Sequence, residues 1–342
     1  MKNTLVASAL VGLLSSSPVW SATTLNIYNW SEYLPQSIIE DFTEETGIKV
    51  NYATFESNET MYAKLKLIDG EGYDIVVPST YYVSKLANDG LLHRIDKSKI
   101  DTFAQLDSSI MNQSFDPQNS YSLPYMWGST AIGYNSEVID GSKLTGWADL
   151  WSSEYAGQLL LTDDVRDVMG MALILGGHSV NSQDAEELQQ AYERLTSLKP
   201  NVMVFNSDAP HVPLITGEVN VGMQWNGTAY RAQQENPAIR FVYPREGAIF
   251  WMDNIVIPEK AQNKEAAYAF INFLLEPENQ ATVVKEIGYA VPNLQALTHL
   301  PAEIRDSEII FPPADVKQKG QFLGSVGDAV GSYERYWMEL KK

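Results

Sequence analysis

An aromatic ring beside an acid recurs along this chain where apolar, strand-like runs give way to loops or helices. The pattern runs Trp30 with Glu32, Tyr81, Asp164 with Asp167, Trp225, Trp251 with Asp253, and Tyr289, while Tyr33 brackets Glu32 on its other side. Carboxylates neutralise ammonium groups, and ring faces attract cations and stack on methylenes. Several such pairs would fit a linear polyamine, whose ammonium groups alternate with methylene spacers. Each pair also has a plainer reading, in which the ring is core and the acid is solvated or complements a helix dipole. Asp253 stands apart. It interrupts the apolar run Ala248 to Pro258, where an unpaired acid is costly, and this favours a functional role.

Other chemistry is poorly represented. The four histidines, His93, His178, His211 and His299, show no ligand spacing, and there is no cysteine. The chain carries no HExxH, GxSxG, P-loop or GxGxxG signature. Nothing proposes a metal centre, a cofactor or a nucleophile–base pair, so neither a cofactor nor catalysis is expected.

Strand–helix alternation must position these residues. Leu25, Ile27 and their alternating neighbours read as a short, largely buried strand that runs into Asn29 to Tyr33, followed by a helix that Pro35 opens, Ile38, Ile39 and Phe42 pack, and Gly47 closes. Lys49 to Thr54 and Tyr73 to Pro78 read as further strands, with a helix entered at Ser57 between them. Ser79 and Tyr81 then fall at a strand's carboxyl edge, where Ser79 reads equally well as a helix cap. Tyr121 to Gly128 looks like a crossing between domains, with a fresh strand from Ser129. Trp147, Leu150 and Trp151 read as core. Leu159 to Leu161 is a strand leading into a helix with Asp164 and Asp167 on one face, and Trp225 ends another strand. The rhythm predicts a parallel, doubly wound α/β sheet, which binds ligands at its strands' carboxyl ends.

Length and composition bound the rest. Lys2, the apolar run Leu5 to Leu14 and the small-residue pattern ending at Ser21 read as a signal peptide over residues 1–21. The run is too short to span a bilayer, so the mature chain is expected to be exported, soluble and periplasmic. About 320 residues remain, more than one core usually covers, which predicts two domains. The formal charge of −19 argues against nucleic acid and modestly assists attraction of polycations.

Longer segments carry a resemblance. YNWSEYLP, GIKVNYATFESNETMYAKLK, YDIVVPSTYYV, LLLTDDVRDV, PNVMVFNSD, GEVNVGMQWNG, IFWMDN, INFLLEPE and IGYAVPN together resemble the periplasmic spermidine/putrescine-binding proteins of bacterial polyamine ABC transporters, and the spermidine-preferring type most. The resemblance implies a two-lobed periplasmic solute-binding fold, each lobe a mainly parallel sheet flanked by helices, with the ligand in the cleft between them. It implies a first lobe of residues 22–121 plus 250–297 and a second of 122–249 plus 298–342. Carried to matching positions, the ligand set is Trp30, Ser31, Glu32, Tyr33, Ser79, Tyr81, Asp164, Asp167, Trp225, Trp251, Asp253 and Tyr289. Two positions depart: Asp167 stands where the spermidine type usually has Glu, and Leu323 where it usually has Gln.

The expected function is capture of spermidine or a close polyamine such as norspermidine, and more weakly putrescine, for delivery to an inner-membrane ABC permease. A monomer is expected. A polyamine sensor signalling to a membrane receptor is the first alternative. A sugar-binding protein, disfavoured by the number of carboxylates against so few candidate neutral donors, and a glycosidase using a carboxylate pair, which recovery of chemically unchanged ligand after long incubation would discount, are the others.

Overall fold

A computed structural model describes residues 23–342; the expected signal peptide lies outside the described residues. In chain order the elements begin with β1 (Thr24–Trp30), α1 (Gln36–Thr46), β2 (Lys49–Phe55), α2 (Asn58–Leu67), β3 (Ile75–Val76), α3 (Thr80–Asn88) and β4 (Ser122–Asn135). Next come β5 (Leu159–Leu161), α4 (Val165–Leu175), α5 (Ala185–Leu198), β6 (Val202–Phe205), α6 (Val212–Thr216), β7 (Val221–Trp225), α7 (Asn226–Glu235), β8 (Ile239–Val242) and β9 (Ile249–Val256). The chain closes with α8 (Lys264–Leu275), α9 (Pro277–Ile287), α10 (Ala302–Arg305), α11 (Ala314–Lys319), β10 (Gln321–Phe322) and α12 (Val330–Leu340).

The strands pair in the order β2-β1-β3-β9-β4-β7-β5-β6, with β10 on β9 and β8 on β4. Both ends of this path are parallel, as the strand–helix rhythm predicts. The middle is not. β4 and β9 run antiparallel to each other, and β4 is also antiparallel to β7 and β8. The expected fresh strand at Ser129 is the second half of the continuous β4, whose ladder slips between Pro124 and Met126. Proline cannot donate to a ladder, so the strand absorbs it as a bulge. β3 is shorter than expected, although Asp74 and Val77 extend its pairing by donating to Asn26 and Tyr28.

Helices cover both faces. Ile38 and Phe42 of α1 are buried, with Phe42 edge-on to Phe270 of α8 at 5.0 Å. Met169 and Leu173 bury α4 against the other end of the sheet. Pro35 and Gly47 flank α1 as expected, Gly47 at φ 72°, a conformation that glycine adopts without steric cost. Trp147 and Leu150 are core, while Trp151 is half-buried. Of the three expected lobe boundaries, one falls at the first residue of β4, one inside β9 and one within the 3-10 turn Leu294–His299, so two continuous strands join the two parallel ends.

Candidate functional site

The carboxyl ends of β1, β3, β5 and β7 converge on one cavity of about 730 Å³. Every residue singled out from the sequence or the resemblance lines it: Trp30, Ser31, Glu32, Tyr33, Ser79, Tyr81, Asp164, Asp167, Trp225, Trp251, Asp253, Tyr289 and Leu323. Trp251 and Asp253 differ from expectation in one respect. They lie inside β9 rather than at a strand end, and their spacing of two residues turns both toward the cleft floor. Gly128 of β4 lies opposite Trp251, and a Cβ there would come within 2.6 Å of the indole. Gly227 makes the same room for the Tyr289 ring, which a Cβ would approach to 2.5 Å.

Asp253 is buried and accepts two short hydrogen bonds, from the Tyr33 hydroxyl at 2.6 Å and the Ser79 hydroxyl at 2.5 Å. Ser79 stands at the N-cap position of α3, yet its side chain makes no capping bond. The cap reading therefore gives way to one in which its hydroxyl serves the acid. Asn58 holds this group together: its amide donates to the Ser79 and Tyr81 hydroxyls at 3.0 and 2.9 Å, and its carbonyl accepts from the Ser79 backbone.

A second network surrounds Asp167. Its carboxylate accepts from Thr130 Oγ1 at 2.9 Å and from Trp225 Nε1 at 2.7 Å, while Thr130 accepts from Trp251 Nε1 at 3.1 Å. One acid thus fixes both indoles. Asp164 caps α4, accepting from the backbone of Arg166 and Asp167. It precedes the helix and so shares no helix face with Asp167, which spends its oxygens on Thr130 and Trp225 instead of on the dipole. Tyr33, Tyr289, Trp251 and Trp225 form an arc of rings, with successive centroids 5.6, 5.1 and 6.4 Å apart. Glu32, at φ 50°, holds a backbone conformation uncommon for a side-chain-bearing residue. Its carboxylate meets Arg231 Nη1 at 2.9 Å.

Known proteins share this architecture. The profile of the bacterial extracellular solute-binding proteins matches residues 37–312. A spermidine/putrescine-binding periplasmic protein of Salmonella typhimurium is 50% identical over 340 residues, covering 99% of this chain and 98% of its own. Its Escherichia coli counterpart is 49% identical, with the same coverage of both chains. The chain belongs to the periplasmic spermidine/putrescine-binding protein family. Among solved structures, a spermidine/putrescine ABC transporter substrate-binding protein of Streptococcus pneumoniae superposes with a TM-score of 0.79 at 37% identity, covering 93% of this chain and 98% of that one. A Treponema pallidum lipoprotein gives 0.84 at 31% identity, covering 93% and 99%. The fold is therefore that of a two-lobed solute-binding protein, and members of this family bind substrates for transport and are not enzymes. Among the described residues, no helix is long and apolar enough to cross a membrane.

The electrostatics of this family member's cleft follow from burial. Burial raises the Asp253 carboxyl to about 6, against the lowering effect of its two hydroxyl donors. Burial, and then the Asp164 carboxylate beside it, hold Asp167 well above the ordinary carboxylate range. Burial raises Asp164 too, opposed by the backbone donors it caps. Glu59, in an acidic cavity adjoining the cleft, is raised to about 7 by burial and by Asp164.

Residues beyond the sequence-based set also line the cleft: Phe55, Glu56, Ser207, Asp208, Pro210, Thr228 and Arg231. Glu56 follows β2, and Ser207 and Asp208 follow β6. The strand-end rule, applied to those two strands, finds them. Thr228 and Arg231 reach in from α7, and supporting Asn58 and Thr130 lie in ordinary helix and strand contexts. No local signal marks any of these four.

Proposed function

We propose that this protein captures spermidine or norspermidine, with putrescine held more weakly, and delivers it to an inner-membrane ABC permease. One observation carries the reading. The buried carboxylates Asp167 and Asp253 accept hydrogen bonds only from neutral groups, Thr130, Trp225, Tyr33 and Ser79. Neither forms a salt bridge with a Lys or Arg among the described residues, and the buried Arg166 nearby offsets burial at Asp167 less than the neutral donors do, so their charge calls for a cation from outside. The ring arc beside them suits the methylenes between ammonium groups. The relatives named as spermidine/putrescine-binding proteins support the same ligand class and a transport role. No feature of the described residues favours the alternative of a sensor signalling to a membrane receptor. On this reading the thirteen residues named above form the ligand contacts, and closure swings the lobes about β4 and β9.

Titration calorimetry with spermidine at low and at high salt tests the reading. Affinity is expected to fall markedly with salt, because several ammonium–carboxylate contacts form together. An affinity indifferent to salt would instead favour a neutral ligand such as a sugar.

A second expectation concerns chain length. Asp167 reaches one methylene less far than Glu, and Leu323, buried in the cavity wall, offers only methyl groups where Gln would offer a carbonyl. Polar fixation at this end is loosened, so spermidine and norspermidine are expected to bind within about tenfold of each other, roughly 1.4 kcal/mol. The double change Asp167→Glu with Leu323→Gln is expected to widen the gap in favour of spermidine. Separation of the two triamines by well over about a hundredfold in the unaltered protein would contradict this.

A further inference from the structure

The cleft contains its own cation. Arg231 extends from α7 into the cavity, and its Nη1 meets Glu32 Oε2 at 2.9 Å. It is the only Lys or Arg among the described residues lining that cavity. The two partners come from the two parallel ends of the sheet, Glu32 after β1 and Arg231 after β7, so the pair bridges the cleft. Their side chains are 47% and 23% exposed, which puts the bridge toward the mouth, whereas Asp167 and Asp253 lie buried. We propose that Arg231 is a specificity-determining residue, a resident cation that neutralises Glu32 and so reduces what the cleft gains from a ligand's third ammonium.

The inference rests on the polyamine reading and deepens it. A diamine's two ammonium groups are matched by the inner acids Asp164, Asp167 and Asp253, and neither needs Glu32. A triamine's third ammonium reaches Glu32 only by sharing it with, or displacing, a guanidinium of the same charge. A half-exposed ion pair contributes little to closing the lobes, so the larger role of Arg231 is as a like charge beside the ligand. Removing it frees one carboxylate and removes one repulsion.

Calorimetric titration of spermidine and putrescine into the unaltered protein, Arg231→Met and Arg231→Gln tests this. Both variants are expected to raise the ratio of spermidine to putrescine affinity by about fivefold, the upper range for an exposed pair. Arg231→Lys, which keeps the charge, is expected to hold the ratio near its original value. Most of the gain is expected to vanish when Arg231→Met is made together with Glu32→Gln, because no acid is then released. A ratio that moves less than about twofold in both neutral variants overturns the inference. So does an equal weakening of both ligands, which would make Arg231 a latch between the lobes. If the unaltered protein binds neither polyamine, the proposed function itself fails, and the inference with it.

Discussion

Asp253→Asn is expected to weaken spermidine binding by about 2–5 kcal/mol, the range for removing one partner of a buried charge pair. That corresponds to a loss of about thirtyfold to several thousandfold in affinity. The carboxylate is buried in the cleft floor on a strand that cannot yield without disturbing β4. Its hydroxyl donors, Tyr33 and Ser79, are neutral, so they orient the charge without cancelling it. Asparagine keeps the shape and removes the charge, while turning an amide donor toward groups that already donate. The ligand-free melting temperature near pH 7.5 is expected to hold or rise, because an unmatched buried charge has been removed. A binding loss below about 0.5 kcal/mol, well under that range, would show that Asp253 faces solvent in the complex.

Acidification is expected to weaken binding as strongly. The ligand's amines stay charged throughout the acidic and neutral range, so only the protein's acids titrate. A proton on Asp253 below about pH 6, or on Asp164 or Asp167, must leave before an ammonium can pair there. Affinity should therefore fall as pH drops from 7.5 to 5, with net proton release on binding near pH 6. Calorimetry in two buffers of different ionisation enthalpy reads that release, and proton uptake would contradict the account. The cleft acids themselves contribute to the stability of the ligand-free protein in the opposite sense. Asp164, Asp167, Asp253 and Glu59 have folded-state values above their unfolded ones, so the folded chain binds more protons between the ordinary carboxylate range and about pH 7. The stability these groups contribute is present at low pH and lost as pH rises through the folded values. The increase in melting temperature produced by spermidine is accordingly expected to be larger at pH 7.5 than at pH 5.

Much of this arrangement is legible in the sequence because it obeys local rules. The apolar alternation of β1, the proline and glycine flanking α1, and the Trp225 exit from β7 are each written in a few consecutive residues. Asp253 announces itself as an acid inside an apolar run. The antiparallel centre is not legible, because β4 carries Pro124 and Gly128 within it, residues that read as a break until the bulge and the room for Trp251 are visible. Nor are Asn58 and Thr130, each a single polar residue whose partners lie far along the chain. Thr130 joins Asp167 and Trp251, which are 37 and 121 positions away. Ser79 shows the same limit: its position in the sequence fits a cap, and only the fold brings Asp253 within reach of its hydroxyl.

On the proposed function, a polyamine cation completes the buried acids of this cleft. Native mass spectrometry of the gently purified protein, before and after addition of spermidine, tests it most directly. The expected result is one polyamine per chain, retained by the unaltered protein and lost in Asp253→Asn. A chain that carries no polyamine as purified, and takes up none when spermidine is supplied, would contradict it.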